Sequence, residues 1–360
     1  MLNKLVLYVP QPDKKSAVQA GGQYTAAAGL INYLNEIELP FTIVNTTPLS
    51  TQQSRLSKAI FALARIKRVI KLSKKEESIV LAFTGSFNSL MERFLLLSLT
   101  RCQLALGFRN NEILNISPVS LKGCLISFFL KKIKVIFVQG ESLKEYLLLF
   151  GVESSRIKVI PNWLPANCSI VKSPIILPEH ATLQIIMVTR VVKAKGIFEF
   201  IKAISLLDIS IRKFKVDIVG GGEDLKEAKA YCESLNISNL ITFHGWQSVE
   251  ETKAFLKQSH LFVLPSYNEG FPNSILEAMA HALPIVSTNV GAISESVLDG
   301  KNGSIIKIKD SVSLADAISD YLHNPSLLET HSINSLNIVR ERHDRKYNCE
   351  KLIQHLFSGS

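Results

Sequence analysis

Residues 1–163 contain no histidine, and the 360-residue sequence has no Asp-x-Asp, Cys-x-x-Cys or Gly-x-Gly-x-x-Gly. The missing acid pair leaves a catalytic divalent metal without its usual ligands. The missing cysteine pairs argue against a structural zinc site, and the missing glycine fingerprint gives NAD little support. The five cysteines, Cys102, Cys124, Cys168, Cys232 and Cys349, are odd in number and scattered. That pattern speaks against a disulfide framework and for a reducing cytosol. Long apolar runs are lacking too. The densest stretches, 94–97 and 124–130, fall far short of the ~18 residues of a membrane-spanning helix. The chain enters a strand-like run at once, with no basic segment, longer apolar stretch or small-residue cleavage site, so no secretory signal is expected.

What is present is the composition of a folded chain, 47% hydrophobic and 20% charged. Its length exceeds one compact core and suits two domains of ~150–200 residues. Charge is unevenly placed. Residues 1–163 hold 21 Lys+Arg and 10 Asp+Glu, whereas residues 164–360 hold 20 and 21. The whole +10 excess therefore lies in the first half, which is expected to meet something anionic.

Apolar runs of strand length alternate with helix-like segments throughout. In the first half they are 5–9, 41–45, 79–83, 103–107, 135–138 and 158–160. In the second they are 183–189, 215–220, 240–243, 261–265, 284–287 and 303–308. Most are continuous, as expected for strands buried on both faces of a parallel sheet. The alternation predicts an α/β chain of two Rossmann-like doubly wound domains facing a cleft. Pro161, Pro165, Pro174 and Pro178 mark the link between them. The expected division is 1–163, a basic domain, then 164–335, a second domain. A terminal helical segment over about 326–357 follows.

Ligands of open α/β sheets sit at the carboxyl ends of the strands, and the chemistry is sought there. Glu269-Gly270-Phe271-Pro272-Asn273-Ser274-Ile275-Leu276-Glu277 follows the run 261–265 and opens a helix. Pro272 suits the first helical turn. The N–H groups of Asn273, Ser274 and Ile275 then lack intrahelical partners and favour an anion such as phosphate. Glu269, just before the helix, can accept bonds from hydroxyls. Asn273, Glu277 and His281 share an arc that, taken alone, is equally a solvated face. Arg190 and Lys195 end the first strand of the second half and offer a fork and a point charge to phosphate oxygens. Gly220-Gly221-Gly222-Glu223-Asp224 follows the next strand, and Asn289-Val290-Gly291-Ala292 a later one. In the first half, Gly21 and Gly22 follow the first strand; alone they read equally as an ordinary turn.

Taken together, the order Gly21-Gly22, Arg190, Lys195-Gly196, Gly220-Gly221-Gly222, Glu269 and Glu277 resembles the retaining GT-B glycosyltransferases of family 4 (group 1). The similarity is strong over about 157–310, including Leu276-Glu277-Ala278-Met279-Ala280, and weaker over 1–156. The resemblance implies a retaining transferase that needs no metal or other cofactor, with a nucleotide-diphosphate sugar as donor; residues 1–163 would bind the acceptor, residues 164–335 the nucleotide sugar, and residues 336–360 would pack back on the first domain. Glu269, with the backbone of Gly270 and Phe271, would hold the donor sugar. Asn273, Ser274 and Ile275 would face the diphosphate, and Glu277 would accept from the ribose. Arg190 and Lys195 would neutralise the leaving diphosphate. Gly221, Gly222 and Glu223 would lie near the nucleotide, and Gly21 and Gly22 would close over it. Many relatives carry a histidine near the reacting carbon on the first lobe; the comparable strand end here reads Gly107-Phe108-Arg109. Arginine cannot act as a base. Glu112 and Glu141 are acids near strand ends, without a catalytic role assignable from sequence.

The run 55–75 carries Arg55, Lys58, Arg65, Lys67, Arg68, Lys71, Lys74 and Lys75 with no acid. A second basic patch, Lys131-Lys132-Ile133-Lys134, follows Ser127-Phe128-Phe129-Leu130. Cations beside apolar residues suit an anionic membrane face. Few aromatics interleave with them, and no nucleic-acid recognition motif is present. The expected partners are a nucleotide-diphosphate sugar, a glycan or lipid-linked glycan acceptor and an anionic membrane surface, with no nucleic acid. The expected location is cytoplasmic, peripheral on the inner face of the plasma membrane, in bacterial-type surface polysaccharide assembly. The competing readings are a nucleotide-sugar epimerase of GT-B fold and a non-catalytic two-lobed sugar-binding protein.

Overall fold

The computed structural model describes residues 4–11, 22–47, 55–73, 78–84, 86–100, 102–109, 112–178 and 180–358. The chain forms two compact units, residues 1–166 with 345–360, and residues 167–344. The first unit runs β1 (Lys4–Val9), α1 (Gly22–Glu36), β2 (Phe41–Asn45), α2 (Arg55–Ser73), β3 (Ser78–Thr84), α3 (Phe87–Leu99), β4 (Gln103–Phe108), α4 (Leu121–Leu130), β5 (Val135–Val138), α5 (Glu141–Leu148) and β6 (Ile157–Val159). The second runs β7 (Leu183–Val188), α6 (Ile197–Ser205), β8 (Phe214–Val219), α7 (Leu225–Ser234), β9 (Ile241–Gly245), α8 (Val249–Gln258), β10 (Leu261–Leu264), α9 (Asn273–Ala280), β11 (Ile285–Thr288), β12 (Gly303–Ile306), α10 (Ser311–His323) and α11 (Ser326–Arg342). The last helix, α12 (Arg345–Phe357), belongs to the first unit.

Each unit holds a six-stranded sheet, ordered β2-β1-β3-β4-β5-β6 in the first and β12-β11-β10-β7-β8-β9 in the second. Every strand pairing is parallel. Parallel strands need crossover helices, which cover both faces. In β1, Leu5, Leu7 and Val9 pack with α1 and α12, while Val6 and Tyr8 pack on the opposite side with α2 to α5. This is the two-residue period of a strand buried on both sides, and it explains why the strand runs are continuously apolar.

The unit boundary falls at 166/167 rather than 163/164. Trp163 and Leu164 are buried, and the indole packs against α1, where a Cβ at Gly29 would come within 2.5 Å of Trp163 Nε1. The expected single terminal helix is two. The chain breaks after Arg342 because His343 is tied into the second unit: Ser296 Oγ and His343 Nε2 are 2.8 Å apart, and the ring packs on Phe271 at 5.1 Å. Helix α11 therefore stays with the second unit, and the return to the first starts at Arg345, not residue 336. Arg345 pairs with Glu36 of α1 at 2.8 Å, and Leu352 and Leu356 are fully buried.

The basic run 55–75 is helical as far as Ser73; Lys74 and Lys75 lie outside the described residues. Arg65 is not one of its outward cations. It donates to Glu92 of α3 at 2.9 Å and to the Tyr8 hydroxyl at 3.2 Å. Buried Arg93 completes the group, reaching Glu92 and the Phe83 carbonyl at 3.0 Å each. Among the described residues, no helix is long and apolar enough to cross a membrane.

Candidate functional site

Numbered from β7, the second sheet has the order 6-5-4-1-2-3. Strand order reverses between β7 and β10, the switch point at which such sheets bind ligands. Arg190 and Lys195 leave β7, while Glu269 and α9 follow β10, so both sets of predicted residues arrive at this point.

Their approach is fixed by backbone. Gly196, which begins α6, has φ +73°, and a Cβ there would lie 2.1 Å from the Pro265 carbonyl oxygen. The Tyr267 N–H donates to the Ala194 carbonyl at 2.9 Å, stitching the loop after β7 to the loop after β10. In consequence the Lys195 ammonium forms an ion pair with the Glu269 carboxylate. The same Glu269 oxygen accepts from the Ser266 hydroxyl at 2.9 Å. Both partners are largely buried, with side chains 25% and 12% exposed. Ser266 stands three residues before Glu269 at the strand end, a signal that the sequence reading passed over.

Helix α9 opens at Asn273, and Pro272 precedes it with an extended ψ of 128° instead of forming its first turn. Pro272 supplies no capping side chain to this end, and the positive helix terminus favours a negative group beside it. Of the three N–H groups expected to face an anion, that of Ile275 donates to the Pro272 carbonyl at 3.2 Å. The first turn closes tightly there, and this N–H is spent within the turn. Gly270 sits beside the loop after β11, its carbonyl accepting from the Ala292 N–H at 2.9 Å. Phe271 is buried against His343.

Glu277 lies further along α9, half-buried. Burial pushes its carboxyl up to about 7, with Lys253 pulling the other way. Its neighbour is Cys168, whose thiol is pushed up to about 12 by burial and by the Glu277 charge. Sequence spacing pointed to neither Lys253 nor Cys168.

The glycine loop after β8 is held against the loop after β7. The Gly221 carbonyl accepts from the Val191 N–H at 3.0 Å, and Gly220 has φ +134° with its Cα facing the Thr189 carbonyl. A Cβ at Gly222 would reach within 2.0 Å of the Val191 carbonyl. Arg190 and Glu223, both exposed, lie 3.9 Å apart, so Arg190 keeps its reach into solvent. Trp246, at the end of β9, is half exposed, and its indole edge rests on Gly221, where a Cβ would sit 2.5 Å from Nε1. This aromatic platform was missed; only its approach to the glycine gives it meaning.

In the first unit, Gly22 opens α1 at the exposed end of β1's connection, and Gly21 lies outside the described residues. Arg109 is buried at the end of β4, its guanidinium 4.4 Å from each of the Phe83 and Trp163 ring centroids. It reaches Asn162 Oδ1 at 3.4 Å. Desolvation brings its pKa down to about 10, so it remains a cation at neutral pH. Glu141 pairs with Lys144 at 2.9 Å on the exposed start of α5.

Residues 173–336 match the sequence family described as glycosyl transferases group 1. The lipopolysaccharide core biosynthesis mannosyltransferase LpcC of Rhizobium leguminosarum bv. viciae is 34% identical over 128 residues, 36% of this chain and 32% of that protein. An N,N'-diacetylbacillosaminyl-diphospho-undecaprenol alpha-1,3-N-acetylgalactosaminyltransferase of Campylobacter jejuni subsp. jejuni is 31% identical over 196 residues, 54% of this chain and 46% of that protein. The matched region thus spans a third to a half of these relatives. Among solved structures, the apo lipopolysaccharide outer core galactosyltransferase WaaB aligns with a TM-score of 0.75 at 14% identity, over 99% of this chain and 100% of that one. That likeness shows the fold, which is that of the GT-B transferases.

Proposed function

We propose that this chain, whose residues 173–336 belong to the group 1 glycosyl transferases, is a retaining glycosyltransferase. It moves a hexosyl group from a nucleotide-diphosphate sugar to a glycan acceptor carried on a lipid, in the assembly of a bacterial-type surface polysaccharide. The first unit would approach an anionic inner membrane face as a peripheral contact. The named activities of the relatives, lipopolysaccharide core and diphospho-undecaprenol transfer, support the substrate class.

One observation carries the reading: Glu269, gripped by Lys195 and Ser266, stands in the loop that opens α9 at the sheet's switch point. A carboxylate there accepts from sugar hydroxyls, and the helix head and Lys195 meet the diphosphate beside it. In the reaction the sugar C1–O bond to the β-phosphate breaks and the acceptor oxygen bonds C1 from the same face. The electron pair goes to the departing diphosphate, which also takes the acceptor's proton. Arg190, Lys195 and the N–H groups of Asn273 and Ser274 stabilise the charge that develops. Positive groups of the protein do here what a divalent ion does elsewhere, so no metal is required.

The test begins with thermal-shift measurements on UDP, GDP and ADP and their sugars, since a ligand stabilises by RT ln(1+[L]/Kd). Donor turnover is then followed with and without EDTA, and product anomeric configuration by NMR. Lys195→Ala and Glu269→Gln are each expected to lower kcat about 10²–10³-fold. Full activity in both variants, strict dependence on a divalent ion, or an inverted product would overturn the proposal. Conversion of donor without acceptor would turn it into an epimerase.

A further inference from the structure

Helix α4 of the first unit presents an apolar stripe to solvent. Leu121, Leu125 and Phe128 are 93%, 44% and 55% exposed, and at i, i+4 and i+7 they form one line along the helix. Val119, in the preceding turn, is 90% exposed. The helix is firmly seated on its other face, where Gly123, Ile126 and Leu130 are buried. The turn is fixed to it. Ser120 Oγ accepts from the Gly123 N–H at 3.0 Å, and a Cβ at Gly123 would lie 2.2 Å from the Ser117 carbonyl oxygen. Val119 is therefore held beside Leu121, so the stripe belongs to a rigid element.

Cations frame it. Lys122, Lys131 and Lys132 are exposed, with Lys132 Nζ 3.9 Å above the Phe128 ring. No Asp or Glu occurs from residue 113 to residue 140. Helix α3 stacks Phe94 on Phe129 of α4 at 4.5 Å and adds exposed Leu95 and Leu99. Its acid, Glu92, is engaged by Arg65 and Arg93. Glu153, the nearby acid on the segment after α5, is paired with Arg156, which also holds the Lys131 carbonyl. Apolar side chains flanked by lysines on a stretch of chain without acids match one partner chemistry above others, acyl chains beneath anionic headgroups.

We infer that α4 and the turn before it are the surface by which the first unit docks on an anionic bilayer. Val119, Leu121, Leu125 and Phe128 enter the acyl boundary, and Lys122, Lys131 and Lys132 lie at the phosphates. This deepens the peripheral contact proposed above and rests on it, but it locates the contact on α4 rather than on the basic run of α2.

The full chain is sedimented with phosphatidylcholine vesicles, with and without a quarter phosphatidylglycerol. It is expected to bind only the anionic vesicles and to lose binding as salt rises. Lys131→Gln/Lys132→Gln should weaken partitioning about 25-fold, roughly fivefold for each lysine. Leu121→Glu/Leu125→Glu should abolish it, while Arg68→Gln/Lys71→Gln on α2 weakens it less than the α4 lysine pair. Leu121→Trp, at an exposed position, gives a second readout: its emission should shift to the blue with anionic vesicles. If the wild type stays in the supernatant, the membrane reading fails as a whole. If it binds but the α4 variants bind equally and Leu121→Trp does not shift, only the α4 inference fails. A dimer that Leu121→Glu/Leu125→Glu splits, without vesicle binding by the wild type, would make the stripe a contact between copies and overturn it too. Unaltered donor turnover in these variants separates every such outcome from a failure of the transferase reading.

Discussion

Glu277 predicts a pH dependence with two opposite faces. Its carboxyl sits at about 7 because burial penalises the charge, with Lys253 only partly offsetting this. At pH 6 about a tenth of the molecules carry the carboxylate, and at pH 8 about nine-tenths. If the ionised form accepts the ribose hydroxyls, Kd for the cognate nucleoside diphosphate falls about tenfold between those values. Stability moves the other way. The folded pKa is raised above the ordinary 4.5, so the fold binds the proton more tightly than the unfolded chain does. This contribution is full below pH 4.5, is lost as pH rises toward 7, and is flat beyond. At 1.36 kcal/mol per unit it amounts to about 3 kcal/mol. Calorimetric titration at pH 6, 7 and 8, with urea unfolding over pH 4–8, reads both effects in wild type and Glu277→Gln. The ligand's terminal phosphate also titrates near pH 6, and the variant carries that effect alone, so the difference between the two proteins is the signal. Parallel Kd-versus-pH curves for wild type and variant would refute the reasoning. So would a wild-type stability that does not decline between pH 4.5 and 7 relative to the variant.

Gly220→Ala places a Cβ 1.9 Å from the Thr189 carbonyl oxygen at φ +134°. Strain of about 2 kcal/mol lowers Tm by ~4–8 °C and weakens nucleotide binding; an unchanged Tm would contradict the close approach of the two loops. Trp246→Ala weakens nucleoside diphosphate binding about tenfold, in line with ~1–3 kcal/mol for stacking of a base on an aromatic ring. Trp246→Phe retains most of the affinity, and the quenching of tryptophan emission by nucleotide disappears in both variants. The other tryptophan, Trp163, is buried in the first unit, so persistent quenching would reject the stacking. Arg109→Met leaves donor Kd unchanged and turnover within about tenfold, the scale of a packing change. A loss of 10² or more in a variant that still melts cooperatively would place the guanidinium in the chemistry.

The strands were legible because most lie in a parallel sheet covered on both faces and so read as continuous apolar runs, as in β3, β5 and β10; β8 and β9, with Lys215, Asp217 and His244 among their residues, are less so. The terminal helix break was not legible. Nothing at His343-Asp344 stops a helix locally; the stop comes from Ser296 and Phe271, which are 47 and 72 positions away. Glu269 and Lys195 stood out individually as strand-end residues. Their meeting across 74 positions depends on β10 lying next to β7, a neighbour relation that strand order alone supplies. The raised pKa of Glu277 arises from burial, with Lys253 pulling it back; what covers the carboxyl comes from segments far from α9 in sequence, so no local pattern announces it. Arg65 read as one cation of a basic stripe, and only the fold reveals that Glu92 and Tyr8 hold it.

The site's charges balance at each stage. Lys195 and Glu269, both partly buried, compensate one another within the protein. In the proposed reaction donor binding would exchange partners: phosphate for Lys195, sugar hydroxyls for Glu269. Neither charge would be stranded, and with both groups already oriented little reorganisation would remain for the transition state. Arg109 has only donors to offer, stays protonated near pH 7 and lies against Phe83 and Trp163, so it cannot act as a base. In the proposed reaction the acceptor's proton leaves with the phosphate, on the face where the new bond forms, and retention of configuration would follow from that placement.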